Sequence, residues 1–165
     1  MDLKHTIAIV TGAASGIGRE TVMELTGRGC TPVLVDIQQD KLAEVMQEVH
    51  KHAPAAIAEV CDISDFNQIK RIVQMVNERY GKIDILINNA GMMMVKFFEE
   101  TSQEEFDRQM AVNFYGGVNF IRAVLPIMEK QGKGVIINVA SVGGQADCAR
   151  HCRLCRQQGR LPGLL

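Results

Sequence analysis

A chain of 165 residues, 47% hydrophobic and 22% charged, is long enough to bury one sizeable α/β core. Its net charge of −1 excludes the basic field by which a domain binds nucleic acid or an anionic membrane. No apolar run reaches the roughly eighteen residues of a membrane span. Met1-Asp2-Leu3-Lys4-His5 leads almost directly into a strand without a signal-peptide core, which reads as cytoplasmic.

Apolar runs near 6–10, 32–36, 56–60, 83–88 and 134–140 read as five strands. Between them, segments of helical periodicity fall near 17–28, 39–52, 65–80, 102–110 and 113–131, the last containing Pro126, which should kink or shorten it. That alternation belongs to an α/β fold, a doubly wound parallel sheet covered on both faces, with expected strand order 3-2-1-4-5. Ligands of such sheets bind beyond the carboxyl ends of the strands, so the residues just after each apolar run are the informative ones.

After the first strand comes Thr11-Gly12-Ala13-Ala14-Ser15-Gly16-Ile17-Gly18, followed by the helix start Arg19-Glu20-Thr21. Glycines let a phosphate approach the backbone, and the unpaired N–H groups and dipole of the helix start favour an anion. An ordinary tight turn is the alternative reading of the Gly-x3-Gly-x-Gly spacing. Asp36 ends the second apolar run, where a βαβ unit places the acid that accepts the ribose hydroxyls of NAD and repels the extra phosphate of NADP. Otherwise it caps the helix that follows. Cys30 and Cys61 read as reduced core thiols. After the third strand, Asp62 either accepts a hydrogen bond from an adenine amino group or caps the helix beginning near Asp65. Asn88-Asn89-Ala90-Gly91 either floors the cleft or makes a turn. Met92, Met93 and Met94 form an apolar wall or plain core packing. Asn113 opens a helix, and Ser141 brings a hydroxyl to the rim after the fifth strand.

In order and spacing, Thr11 to Gly18, Asp62, Asn88 to Gly91, Asn113 and Ser141 resemble the short-chain dehydrogenase/reductases across roughly residues 5–145. The resemblance implies a Rossmann-like NAD-binding domain over 1–145, a nicotinamide cofactor and hydride exchange between an alcohol and a ketone. It assigns Gly12, Ser15, Gly16, Ile17 and Gly18 to the cofactor phosphates and Asp36 to a ribose. Asp62 and Ile63 fall to the adenine, and Asn89, Ala90 and Gly91 to the nicotinamide-side ribose. Ser141 would polarise the substrate carbonyl, and Asn113 would hold a water of the proton relay. NAD is expected over NADP because of Asp36. The family also implies a small-molecule alcohol or ketone substrate and a homo-oligomer.

The family's acid/base is a tyrosine thirteen residues after the serine, with a lysine four further on that lowers its pKa. Here those positions hold Leu154 and Gln158, and neither Tyr80 nor Tyr115 has a lysine four residues on. Dinucleotide binding is therefore expected with alcohol oxidation or ketone reduction close to absent, leaving a non-catalytic dinucleotide-binding fragment as the alternative function. From Ala146 to Leu165 the patterning is lost and cysteine and arginine dominate, as in a wrong reading frame. Skipping one base near codon 146 permits Pro-Ile-Ala-Pro-Gly-Thr-Ala-Val-Tyr-Ala-Ala-Ser-Lys, with the tyrosine in position 154 and the lysine in position 158. That reading requires Leu154 to end in A and Gln158 to be CAA.

A competing reading makes the tail genuine, with Cys148, His151, Cys152 and Cys155 as soft ligands of a small zinc site, though their crowding departs from the usual paired spacing. Arg150, Arg153, Arg156 and Arg160 would contact an acidic partner or simply be solvated. The family continues with two more strands, so the sheet is expected to be truncated after its fifth strand. Val135-Ile136-Ile137-Asn138-Val139 would then be an apolar edge that invites self-association.

Overall fold

The computed structural model describes residues 2–94 and 96–140. In chain order it contains β1 (Ile7–Thr11), α1 (Gly16–Gly27), β2 (Thr31–Asp36), α2 (Gln39–Val49), β3 (Ile57–Val60), α3 (Phe66–Tyr80) and β4 (Ile85–Asn88). A short 3-10 turn at Phe98–Glu100 precedes α4 (Gln103–Met110), a π-helical turn at Ala111–Gly116, α5 (Gly117–Gln131) and β5 (Val135–Asn138). All pairings are parallel and the strand order is β3-β2-β1-β4-β5, the doubly wound order expected from the alternating pattern.

Register explains why β1 and β2 are continuous apolar runs. Ile57, Val33, Ile9, Leu86 and Ile136 form one row across all five strands, packed toward α3 and α5. The adjacent row faces the other side, where Ala58, Leu34, Val10 and Ile87 pack against α1 and α2. Side chains alternate between faces, and helices cover both faces of the central strands, so their interior positions are apolar and polar residues such as Thr11 and Asp36 stand at the strand ends. β5 departs from this. Ile136 packs on the covered face, whereas Val135 and Ile137 stay exposed on the other.

One expectation about helices is corrected. The segments expected at 102–110 and 113–131 run continuously, joined through the π turn rather than separated at 111–112. Glycines permit that course, because a Cβ on Gly116 would lie 2.6 Å from Ile63 Cδ1, so the turn packs closer to the β3–α3 loop than any other residue allows. α5 also runs through Pro126 to Gln131 without shortening. Proline removes the amide that would reach the Arg122 carbonyl, but both residues are exposed, and water can satisfy that group.

Candidate functional site

The carboxyl ends of β1, β2, β3 and β4 converge on a cavity of about 260 Å³. Its lining includes Gly12, Ser15, Asp36, Asp62, Ile63, Asn89, Ala90 and Gly91, all of them singled out in the sequence. Met92 adds an apolar wall, while Met93 points to solvent, so only part of the methionine run serves the cleft.

The glycine turn is built by close packing and backbone conformation together. Gly12 and Gly16 have φ of +68° and +52°, a region that favours glycine. A Cβ on Gly18 would sit 2.0 Å from the Gly12 carbonyl oxygen and 2.6 Å from Asn89 Nδ2, so α1 can press against the turn only where the side chain is absent. Gly16, by contrast, has nothing within 4 Å of a built Cβ. Open space therefore lies at the amino end of α1, where Ser15 is the N-cap and its side chain makes no capping bond. Gly16 and Ile17 flank a shallow depression on the outer side of α1, and Gly18 is turned inward and buried.

Thr11 and Asn89 lock this turn to β4. The Thr11 hydroxyl oxygen accepts from the amides of Asn89 and Ala90, each at 3.0 Å, and Asn89 Nδ2 donates to the carbonyls of Thr11 and Gly12 at 3.0 and 3.3 Å. Asp36, only 6% exposed, accepts from the Ala14 amide through Oδ2 and from the Gln38 amide through Oδ1, both at 2.9 Å. It does not cap α2, whose N-cap is Gln38 with no side-chain capping bond. An ionised carboxylate offers about four acceptor sites, so each oxygen of Asp36 retains one.

Asp62 is likewise not the cap of α3. Asp65 takes that role, accepting from the amides of Asn67 and Gln68 at 2.8 and 3.4 Å. Asp62 instead binds Ser64 and, across the cleft, Arg108 of α4. Burial raises the Asp62 carboxyl, but the Ser64 hydroxyl and amide and the Arg108 guanidinium outweigh it and hold the group below the ordinary carboxylate range. Next to it, burial first and the Asp62 charge second push the Cys61 thiol up to about 11, so this lining residue is a neutral thiol at pH 7.

Asn113 lies in the π turn and does not line the cavity. Its side chain is occupied by the backbone of Met92, accepting from the amide and donating to the carbonyl, each at 2.8 Å. Ser141 and the cluster of Cys148, His151, Cys152 and Cys155 lie outside the described residues. Among the described residues no group of three or more metal-ligating side chains occurs, and no helix is long and apolar enough to cross a membrane. Tyr80 donates to the Ala55 carbonyl at 2.6 Å, at the end of α3 remote from the cavity, and Tyr115 is exposed with its ring edge-to-face on Phe114. Arg108, Gln38, Ile37 and Val112 also line the cavity and were not anticipated from the sequence. Nothing local marks an exposed arginine on α4 as facing a loop more than forty residues earlier.

A family model described as short chain dehydrogenase matches residues 6–152. The chain belongs to the short chain dehydrogenase family. An uncharacterized oxidoreductase of Staphylococcus saprophyticus is 38% identical over 143 residues, which are 87% of this chain and 57% of that protein. The 3-oxoacyl-(acyl-carrier-protein) reductase of Thermotoga maritima is 35% identical over 144 residues, 87% of this chain and 58% of its own length. The crystal structure of a short chain dehydrogenase/reductase from Burkholderia phymatum in complex with NAD superposes with a TM-score of 0.85 at 29% identity, over 89% of this chain and 53% of that one. The chain thus spans somewhat more than half the length of the proteins it matches. The fold they share with it is the Rossmann-like sheet and helices described above.

Proposed function

We propose that this chain binds NAD(H) in the cleft at the carboxyl ends of β1 to β4, and that hydride exchange between an alcohol and a ketone is close to absent in the chain as written. The observation that carries the binding reading is the convergence of three features on one cavity. These are the amino end of α1 at Ser15, whose side chain makes no capping bond, the two spare acceptor sites of buried Asp36, and the Asp62 carboxylate. They fit, in that order, a pyrophosphate, a ribose diol and an adenine amine. Gly12, Ser15, Gly16, Ile17 and Gly18 form or support the phosphate cradle, Asp62 and Ile63 hold the adenine, and Asn89, Ala90 and Gly91 line the nicotinamide-side ribose. Asp36 favours NAD, because its carboxylate would repel a 2′-phosphate.

When bound, the nicotinamide would supply a hydride acceptor or donor. The chain must provide the proton. In the family's positions for the acid/base stand Leu154 and Gln158, whose side chains transfer none at neutral pH, while Ser141 and Asn113 are the remaining members of the machinery. Losing a general acid/base removes roughly a hundredfold to ten-thousandfold in rate. A titration following NADH fluorescence, then a turnover assay on simple hydroxy compounds, separates the two statements. Saturable binding with turnover at background is expected. Absence of saturable binding defeats the first statement, and sustained turnover defeats the second.

A second reading of residues 146–165 is favoured by one feature of the sequence, that the codons allowed by a single skipped base include a tyrosine in position 154 and a lysine in position 158 together. On it, the domain 1–145 is the authentic part of a working dehydrogenase. Sequencing the coding DNA through codons 140 to 165 decides it, and a shifted frame that lacks either residue rejects it.

A further inference from the structure

Arg108 projects from α4 across the mouth of the cavity to the β3–α3 loop, donating to Asp62 Oδ2 and to Ser64 Oγ, each at 2.8 Å. The α4 helix that carries it buries none of its own residues. The reach spans 46 positions of sequence to Asp62, and Arg108 and Asp62 both line the cavity wall.

The Ser64 hydroxyl has one hydrogen, and it goes to Asp62 Oδ1 at 2.7 Å, so its oxygen is left to accept from Arg108. Oδ1 also accepts from the Ser64 amide at 2.9 Å. Of the roughly four acceptor sites on an ionised carboxylate, two on Oδ1 and one on Oδ2 are therefore filled by the chain itself. A single site on Oδ2 remains for a ligand. The guanidinium forks onto both residues of the loop, so the carboxylate plane is set by a two-point clamp.

We propose that Arg108 is a positioning residue for base recognition: its bridge to Asp62 and Ser64 leaves one oriented acceptor in the cleft, selecting nucleotides whose base presents an amine there. The proposal rests on the NAD-binding reading and adds to it which residue sets the selectivity. An adenine amine donates to the open site. A hypoxanthine base presents a carbonyl oxygen at the same position, an acceptor facing an acceptor, which leaves the carboxylate unpaired and sets two negative oxygens together. Without Arg108, Asp62 stays tied to Ser64 through Oδ1 alone, Oδ2 is free to reorient into water, and the distinction between the two bases fades.

The test uses the full chain and two probes, NADH and reduced nicotinamide hypoxanthine dinucleotide, titrated by fluorescence into the wild type, Arg108→Gln, Arg108→Lys and Ser64→Ala. Thermal melting by circular dichroism is followed in parallel. The wild type should bind NADH about tenfold more tightly than the hypoxanthine analogue, the worth of one charge-assisted hydrogen bond. In Arg108→Gln that ratio should fall to within about twofold of unity through weakened NADH binding, while Arg108→Lys, with one donor in place of a fork, gives an intermediate ratio. Ser64→Ala lowers the same ratio without altering α4 and carries the test if Arg108→Gln does not fold. A merely structural role would weaken both dinucleotides equally, and an unchanged ratio in the folded variants overturns the proposal. If the wild type binds neither dinucleotide, the NAD reading falls and this proposal with it. If the wild type binds both equally, the base contact is refuted while nucleotide binding stands.

Discussion

Replacing Gly18 by alanine tests whether the glycine turn is held by steric closeness rather than by glycine's flexibility. The added Cβ would lie 2.0 Å from the Gly12 carbonyl oxygen, where real contacts begin near 3.0 Å, so turn and helix must separate by about 1 Å. Neither neighbour yields easily. One is backbone, and the other, Asn89 Nδ2 at 2.6 Å, is fixed by its bonds to the Thr11 and Gly12 carbonyls. Overpacking of this kind costs about 1–3 kcal/mol, and the lower-cost outcomes involve flexible side chains that this site lacks. We expect about 2–3 kcal/mol, which for a chain of this size lowers the melting temperature by roughly 4–12 °C. NADH binding should weaken as well, because the displaced turn is the proposed phosphate cradle. Gly27→Ala is the matched control. Gly27 lies in the same helix, has nothing within 4 Å of a built Cβ and does not have positive φ. It should be neutral or gain about 0.5–1 kcal/mol from reduced chain entropy. Thermal melts by circular dichroism on the three proteins compare them directly. If Gly18→Ala melts with the wild type, or moves in the same direction as Gly27→Ala, the packing argument is wrong.

Asp36→Ala removes the acceptor of the buried Ala14 amide and should cost about 1–3 kcal/mol in urea unfolding, with NADH affinity falling roughly tenfold or more; unchanged unfolding would refute its anchoring role. Asp62 has a folded pKa below its ordinary 3.8, so its stabilising contribution is present above that value and lost as pH falls through the lower folded value. The stability gap between wild type and Asp62→Asn should therefore hold from pH 7 to about pH 5 and narrow as pH falls below the ordinary carboxylate value; a gap that widens in acid reverses the sign. Ile137 is 45% exposed on β5, and Ile137→Lys should reduce concentration-dependent association in sedimentation velocity by placing a charge on an apolar edge. Equal behaviour of variant and wild type would refute the edge reading.

Much of this architecture is written in local pattern. Continuous apolar runs such as Pro32-Val33-Leu34-Val35 mark strands buried on two faces, and the helical segments between them favour parallel crossovers, so a parallel sheet covered on both faces follows from periodicity and chain connectivity, whereas the choice of strand order 3-2-1-4-5 over 2-1-3-4-5 does not. Glycine spacing after β1 and an acid at the end of β2 were equally legible, because backbone conformation and strand ends are properties of a few adjacent residues. Tertiary structure alone decided what those residues touch. It made Asp65, not Asp62, the cap of α3, and it gave Asp36 the Ala14 amide in place of a helix start. It turned Gly18 inward against Gly12, and it merged two expected helices through a π turn seated on Ile63. It also brought Arg108 to Asp62. Contacts of that kind join segments tens of residues apart, and their partners are selected by distance and direction in the folded chain, which residue type and spacing do not encode.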